Sequence, residues 1–163
     1  GKQAAIKARQ AAEAAGVKTA LSLSDPGMVE FFGEGLQEMV GSQVDLLFCN
    51  QDEAMAWTKT ETAEEAAEKL KISAKTFAIT LGKKGAMVFD GTSMQTVPGE
   101  AVSAIDTNGA GDMFAGAFIY AITNGQSFAD AAKLANHAAA KVVSQYGPRL
   151  KPEQHSAIKQ SLS

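Results

Sequence analysis

Residues 105–118 read Ile-Asp-Thr-Asn-Gly-Ala-Gly-Asp-Met-Phe-Ala-Gly-Ala-Phe. Gly109, Ala110 and Gly111 form a turn of small residues, Asp112 follows at once, and an apolar helical run begins there. Small residues let the backbone approach a ligand closely, and the first N–H groups of a helix lack intrahelical acceptors. Together with the positive end of the helix dipole they make a site for a phosphate. Asp112 would stand beside that phosphate as a proton acceptor, which is a layout for phosphoryl transfer from a nucleotide to a hydroxyl. The plainer alternative is an ordinary helix start with Asp112 as a capping or dipole residue.

Three further constellations carry chemistry. Asn50-Gln-Asp-Glu53 follows an apolar stretch, and its first and last members lie on one side of an opening helix. Amide and carboxylate oxygens suit magnesium, often through water, but the same pair also reads as an N-cap with a capping-box acid. In Thr80-Leu-Gly-Lys-Lys-Gly85, Gly82 and Gly85 allow a tight backbone path past a nucleotide. The spacing is not that of a Walker loop, and an ordinary strand connection accounts for it as well. Lys83 and Lys84 are within reach of a phosphate or simply solvated. Small side chains along 131–143 leave room for a flat ring, or for close helix–sheet packing. There His137 reads as a packed or surface residue, and His155 in the polar tail as solvent-facing.

Local signals place these residues on elements. Lys2–Ala15 is a helix stopped at Gly16, Val17–Leu23 a short strand and Ser24–Gly27 a turn. Met28–Val40 carries Met28, Phe31, Phe32, Leu36, Met39 and Val40 at helical spacing. Val44–Cys49 is a buried strand, Gln51–Thr58 a helix, and Thr62 caps a helix to Leu70. Thr76–Leu81 is a strand, and Gly85–Phe89 and Ser93–Val97 flank an Asp90-Gly91 hairpin turn. Helices follow at Ala110–Thr123, from Ser127 to about Gln145, and at Pro152–Leu162. Strands alternating with helices predict an α/β fold with a largely parallel sheet flanked by helices. In such sheets ligands bind at the carboxyl ends of strands, where the motifs above cluster.

Composition narrows the function. The chain has 163 residues and a formal charge of −3, with lysine and arginine spread out, so no basic patch points to nucleic acid. No run of about 18 apolar residues or signal peptide predicts a membrane segment. The single cysteine, Cys49, reads as a core residue and fits a reducing cytoplasm. The chain opens at Gly1 within a helical pattern, which reads as an excerpt from a longer protein.

The string Asp-Thr-Asn-Gly-Ala-Gly-Asp112 resembles the signature of the ribokinase family of sugar and nucleoside kinases, the PfkB carbohydrate kinases. Asn50-x-x-Glu53 and Thr80-x-Gly82-x-x-Gly85 are similar to that family's other motifs and occur in its order. The resemblance covers nearly the whole chain. It implies a ribokinase-like three-layer sandwich in which residues 1–163 are the C-terminal nucleotide-binding and catalytic part, the N-terminal half and lid being absent. It implies an ATP-dependent phosphotransferase with a sugar or nucleoside acceptor. Asp112 would be the general base, and Gly109, Ala110 and Gly111 the anion hole. Thr80, Gly82, Gly85 and Asn136 would bind nucleotide, and Asn50 and Glu53 would place Mg2+. In many relatives the residues before the anion hole and a later loop hold a monovalent cation. Asp106 and Thr107 match that pattern, whereas Pro148-Arg149 departs from it, so K+ and a bracing role for Asp106 both stay open.

Leu21–Pro26, Phe31-Phe32, Asp45–Asn50 and Asn108 look most like the adenosine kinase branch. The expected partners are the small-molecule acceptor, the missing half and, through the absent lid, a second copy. Neither nucleic acid nor membrane is expected. The fragment by itself is expected to be inactive. Two other readings are a catalytically silent nucleotide-binding regulatory module and a non-kinase α/β enzyme that uses the anion hole for a phosphorylated substrate.

Overall fold

The structure, a computed structural model, describes residues 1–24 and 26–160. Its five strands lie in one sheet in the order β1-β2-β3-β4-β5, a mixed, largely parallel sheet flanked by helices. By contacts the chain divides into two compact units. The first comprises residues 1–79 with 89–93, the second 80–88 with 94–163.

The first unit contains α1 (Lys2–Ala14), β1 (Ala20–Ser22), α2 (Pro26–Val40), β2 (Val44–Asn50), α3 (Gln51–Thr58), α4 (Ala63–Leu70) and nearly all of β3 (Ala74–Thr80). β2 is its centre. Val44, Leu46, Leu47, Phe48 and Cys49 are all buried, the continuous apolar run of a strand covered on both faces. Phe77, Ala78 and Ile79 of β3 and Ala66, Ala67 and Leu70 of α4 complete this core, with the Phe77 and Phe89 rings 5.3 Å apart. Burial pushes the Cys49 thiol well above its ordinary range, so it behaves as a core residue.

Differences from the sequence reading have local causes. β1 is shorter than Val17–Leu23, because only Ala20–Ser22 pair in parallel, with Leu46–Phe48. α2 starts at Pro26, before Met28, since proline fits the first helical turn. Asp25, within the expected turn, lies outside the described residues. α2 is also broken at Phe32 (φ −125°, ψ 21°), which carries the apolar stripe off one face. Leu36 and Val40 are buried, whereas Phe31 is 78% and Phe32 59% exposed. At the hairpin turn the Asp90 carboxylate accepts the N–H groups of Ser93 and Thr92, which hold it far below the usual carboxylate range.

The second unit contains a 3-10 turn (Gly82–Lys84), β4 (Ala86–Phe89, its last residue excepted), β5 (Met94–Val97), α5 (Ala110–Thr123), α6 (Phe128–Val143) and α7 (Pro152–Gln160). α5 packs on α6. Phe114 and Phe118 stack at 5.9 Å, and Phe128 meets Phe118 edge-on at 5.1 Å. Ala131, Ala132, Ala135, Ala138 and Ala140 of α6 are buried, and their small side chains allow close packing. Ser127 caps α6 by accepting the Asp130 N–H at 3.1 Å, as its position predicts. α6 ends at Val143, short of Gln145, where the chain turns back toward Asp106. The described part of α7 ends at Gln160, and the expected end at Leu162 lies outside the described residues. Among the described residues no helix is long and apolar enough to cross a membrane.

Candidate active site

The N-terminus of α5 is built around Gly109. This N-cap has φ +78°, a left-handed conformation that suits glycine. A Cβ there would also lie 2.5 Å from the carbonyl oxygen of Pro148, so both backbone shape and space demand glycine. Met113 N–H opens the helical ladder by donating to Gly109 O at 2.9 Å, which leaves the N–H groups of Gly111 and Asp112 ahead of it. Ala110 N–H, expected to serve the anion hole, donates to Thr107 O at 3.3 Å. That bond is long and therefore weak.

Asp106 braces the turn. Its Oδ1 accepts the Asn108 N–H at 3.0 Å and its Oδ2 the Gly147 N–H at 3.0 Å. These donors, Asn108 first and Gly147 second, hold its carboxyl below the ordinary carboxylate range. Each oxygen is thus engaged by one backbone N–H, the contacts of the bracing role. Thr107 instead lines a cavity.

That cavity measures about 290 Å3 and belongs entirely to the second unit. It brings together Thr80, Gly82 and Gly85 from the first turn, Thr107, Ala110 and Gly111 from the signature, and Asn136 from α6. Val102, Ala104, Phe114 and Val143 supply apolar wall, and Lys83 and Glu100 charge; Lys84 is exposed and does not line it. The size is at the lower end of the roughly 300–1,000 Å3 of small-molecule sites. Apolar side chains together with the start of a helix in one wall suit a ligand with a flat ring and an anionic tail.

The structure also places Asp112 and Asn136. Asp112 is exposed and does not line this cavity. It borders a separate depression of about 620 Å3 with Met113, Gly116, Pro148 and Arg149. Asn136, expected to face an adenine, spends its amide nitrogen on Val97 O at 3.3 Å and Pro98 O at 3.0 Å while buried at 8% exposure. His137 Nδ1 lies 2.6 Å from Glu100 Oε1, and His155 is exposed as expected. Sequence reasoning missed Gly99, Glu100 and Val102 as cavity wall. Their only signal was position, between the hairpin and the signature.

In the first unit, Asn50 and Glu53 form a closed capping box. Asn50 Oδ1 accepts the Glu53 N–H at 2.8 Å, Glu53 Oε2 accepts the Asn50 N–H at 3.0 Å, and Glu53 Oε1 accepts the Asn50 amide at 2.8 Å. Glu53 is 5% exposed. Each carboxylate oxygen thus accepts a hydrogen bond within the cap, which is the capping-box alternative in full.

The pfkB family carbohydrate kinase model matches residues 2–155. A ribokinase of Staphylococcus aureus is 32% identical over 151 residues, which is 88% of this chain and 47% of the relative. An adenosine kinase structure from Sinorhizobium meliloti is 36% identical with a TM-score of 0.89, over 98% of this chain and 50% of that one. The structure of an Arabidopsis thaliana ribokinase complexed with ribose and ATP is 27% identical with a TM-score of 0.74, over 90% and 48%. The chain thus spans about half the length of the relatives it matches.

Proposed function

This chain belongs to the pfkB family of carbohydrate kinases, and from that premise we propose that it is the nucleotide-binding and catalytic part of an ATP-dependent kinase acting on an alcohol of a sugar or nucleoside. One observation carries the reading. Residues of three separated motifs, at Thr80–Gly85, Thr107–Gly111 and Asn136, line a single cavity whose wall includes the first residues of a helix. The comparison proteins include kinases of both acceptor classes, one of them described with ATP.

In this reading the nucleotide ring enters the apolar slot and the phosphates reach the N-terminus of α5. The N–H groups of Gly109 and Gly111 stabilise charge on the transferred phosphoryl group. Ala110 joins them by giving up its long bond to Thr107. Asp112, facing the neighbouring depression, takes the proton of the acceptor hydroxyl as its oxygen bonds to the γ-phosphorus. The bond from γ-phosphorus to the bridging oxygen breaks, and ADP leaves. Magnesium supplies charge neutralisation on the phosphates when bound. Asn50 and Glu53 would hold it through water, each Glu53 oxygen already accepting one hydrogen bond within the cap.

The test is magnesium-dependent ATP consumption by the full-length protein with adenosine, inosine, ribose and fructose. Turnover with one acceptor establishes the kinase and names its branch. Tight ATP binding without turnover on any of them, or on a wider acceptor panel, turns the reading to a silent nucleotide-binding module. Absence of ATP binding sinks it.

A further inference from the structure

We infer that Gly99 and Asn136 are positioning residues for the Gly82–Gly85 turn, an inference that rests on the nucleotide reading above. Gly99 leaves β5 and lies flat against that turn, donating its N–H to Lys84 O at 3.2 Å. A Cβ at Gly99 would stand 2.8 Å from Lys83 O and 2.9 Å from Gly85 N. These are backbone atoms, which cannot swing aside as a side chain does. From the other side, a Cβ on Gly85 would overlap the carbonyl oxygen of Val97. Two backbones therefore meet with no side chain between them, and both contribute to the cavity wall.

Asn136 anchors the outer backbone. It projects from α6, is buried, and ties down the two consecutive carbonyls of Val97 and Pro98 that precede Gly99. A buried amide bound to two carbonyls is costly to remove, because both acceptors then lose their partner. The next residue, His137, holds Glu100 one position beyond Gly99. The segment 97–100 is thus pinned to α6 at both ends, and the nucleotide turn rests on its middle. Position passes from α6 through Val97–Glu100 to the turn by contacts alone.

The conformation at Gly99 makes the test clean. Its φ lies outside the left-handed region, so alanine there meets only the contact and not backbone strain, in contrast to Gly85 at φ +103°. The experiment is calorimetric titration of magnesium-ATP into the full-length protein, with Gly99→Ala, Asn136→Ala, the double variant, and Gly33→Ala as control. A Cβ at Gly33 meets nothing within 4 Å. All titrations are run well below the melting temperature of every variant. Each single variant is expected to bind ATP about tenfold more weakly, with the control unchanged. The double variant is expected to fall short of the product of the two, since both act through one segment. Variants that melt earlier yet bind ATP like the parent overturn the inference and leave a merely structural contact. If Gly99→Ala does not fold, Asn136→Ala decides alone by the same criterion. A parent protein that fails to bind ATP overturns the nucleotide reading and this inference with it.

Discussion

Helices α3 and α5 both carry a carboxylate at the third position after the N-cap, Glu53 after Asn50 and Asp112 after Gly109. In α3 the N-cap has a side chain, so acid and cap close on each other, spend the first donors of the helix and bury Glu53. In α5 the N-cap is a glycine with no side chain to offer. Its left-handed backbone is pressed against Pro148, the leading N–H groups precede the ladder, and Asp112 stays exposed. A carboxylate at the same helical position becomes a buried staple in one place and stays exposed in the other. The choice is made three residues earlier, by whether the N-cap can form a capping box.

Substitutions at these two helix starts break or sharpen that contrast. The largest effect is expected from Asp112→Asn. It would remove the proposed proton acceptor while preserving shape, so turnover should fall about 10²- to 10⁴-fold, with ATP affinity and melting temperature near those of the parent. Steady-state kinetics with calorimetric ATP titration decides this, and an equally active variant removes Asp112 from the mechanism. Gly109→Ala comes next. The left-handed N-cap and the contact with Pro148 should cost about 1–3 kcal/mol, measured by urea denaturation, and ATP binding should weaken as the helix start moves.

Glu53→Gln keeps one acceptor for the Asn50 N–H but replaces the other oxygen with a donor that faces the Asn50 amide. Loss of the charge-assisted bonds should cost about 1 kcal/mol in the same denaturation assay. If the water-mediated role holds, more magnesium should be needed for half-maximal ATP binding. A parental magnesium dependence makes the pair a cap alone. The smallest effect is a pH dependence at Asp106. Its folded-state pKa is depressed, so its bracing contribution is fully present above the ordinary aspartate value of about 3.9 and disappears as pH falls through the depressed value. Melting temperature followed from pH 6 to pH 2 should show Asp106→Asn losing less on the acid side than the parent.

Much of the fold was legible because its signals are local. Gln51–Thr58, the Thr62 cap with Ala63–Leu70, Ala110–Thr123 and the Ser127 cap stand where the sequence placed them. Each is set by hydrogen bonds or periodicity within three or four residues. The misreadings fall where distant partners intervene. The length of β1 is decided by β2, which it pairs with from 26 residues away in register. The exposure of Phe31 and Phe32 follows from a break in α2 that apolar spacing does not report.

The candidate site divides along the same line. From its sequence the chain determined which segments hold glycine, acid and amide, that Gly109–Asp112 starts a helix, and that Asn50 and Glu53 suit a capping box. Such features are encoded in a few consecutive residues. Only the tertiary structure decided that Thr80, Gly111 and Asn136 share a cavity, that Asp112 borders a separate depression, and that Asp106 reaches Gly147 across 41 positions. It also decided that Asn136 grips Val97 and Pro98, some 38 positions away, and that Gly99 is part of the wall. The physical reason is that a hydrogen bond or a close backbone contact depends on separation in space, and residues this far apart in the chain acquire a separation only when packing closes the loops between them.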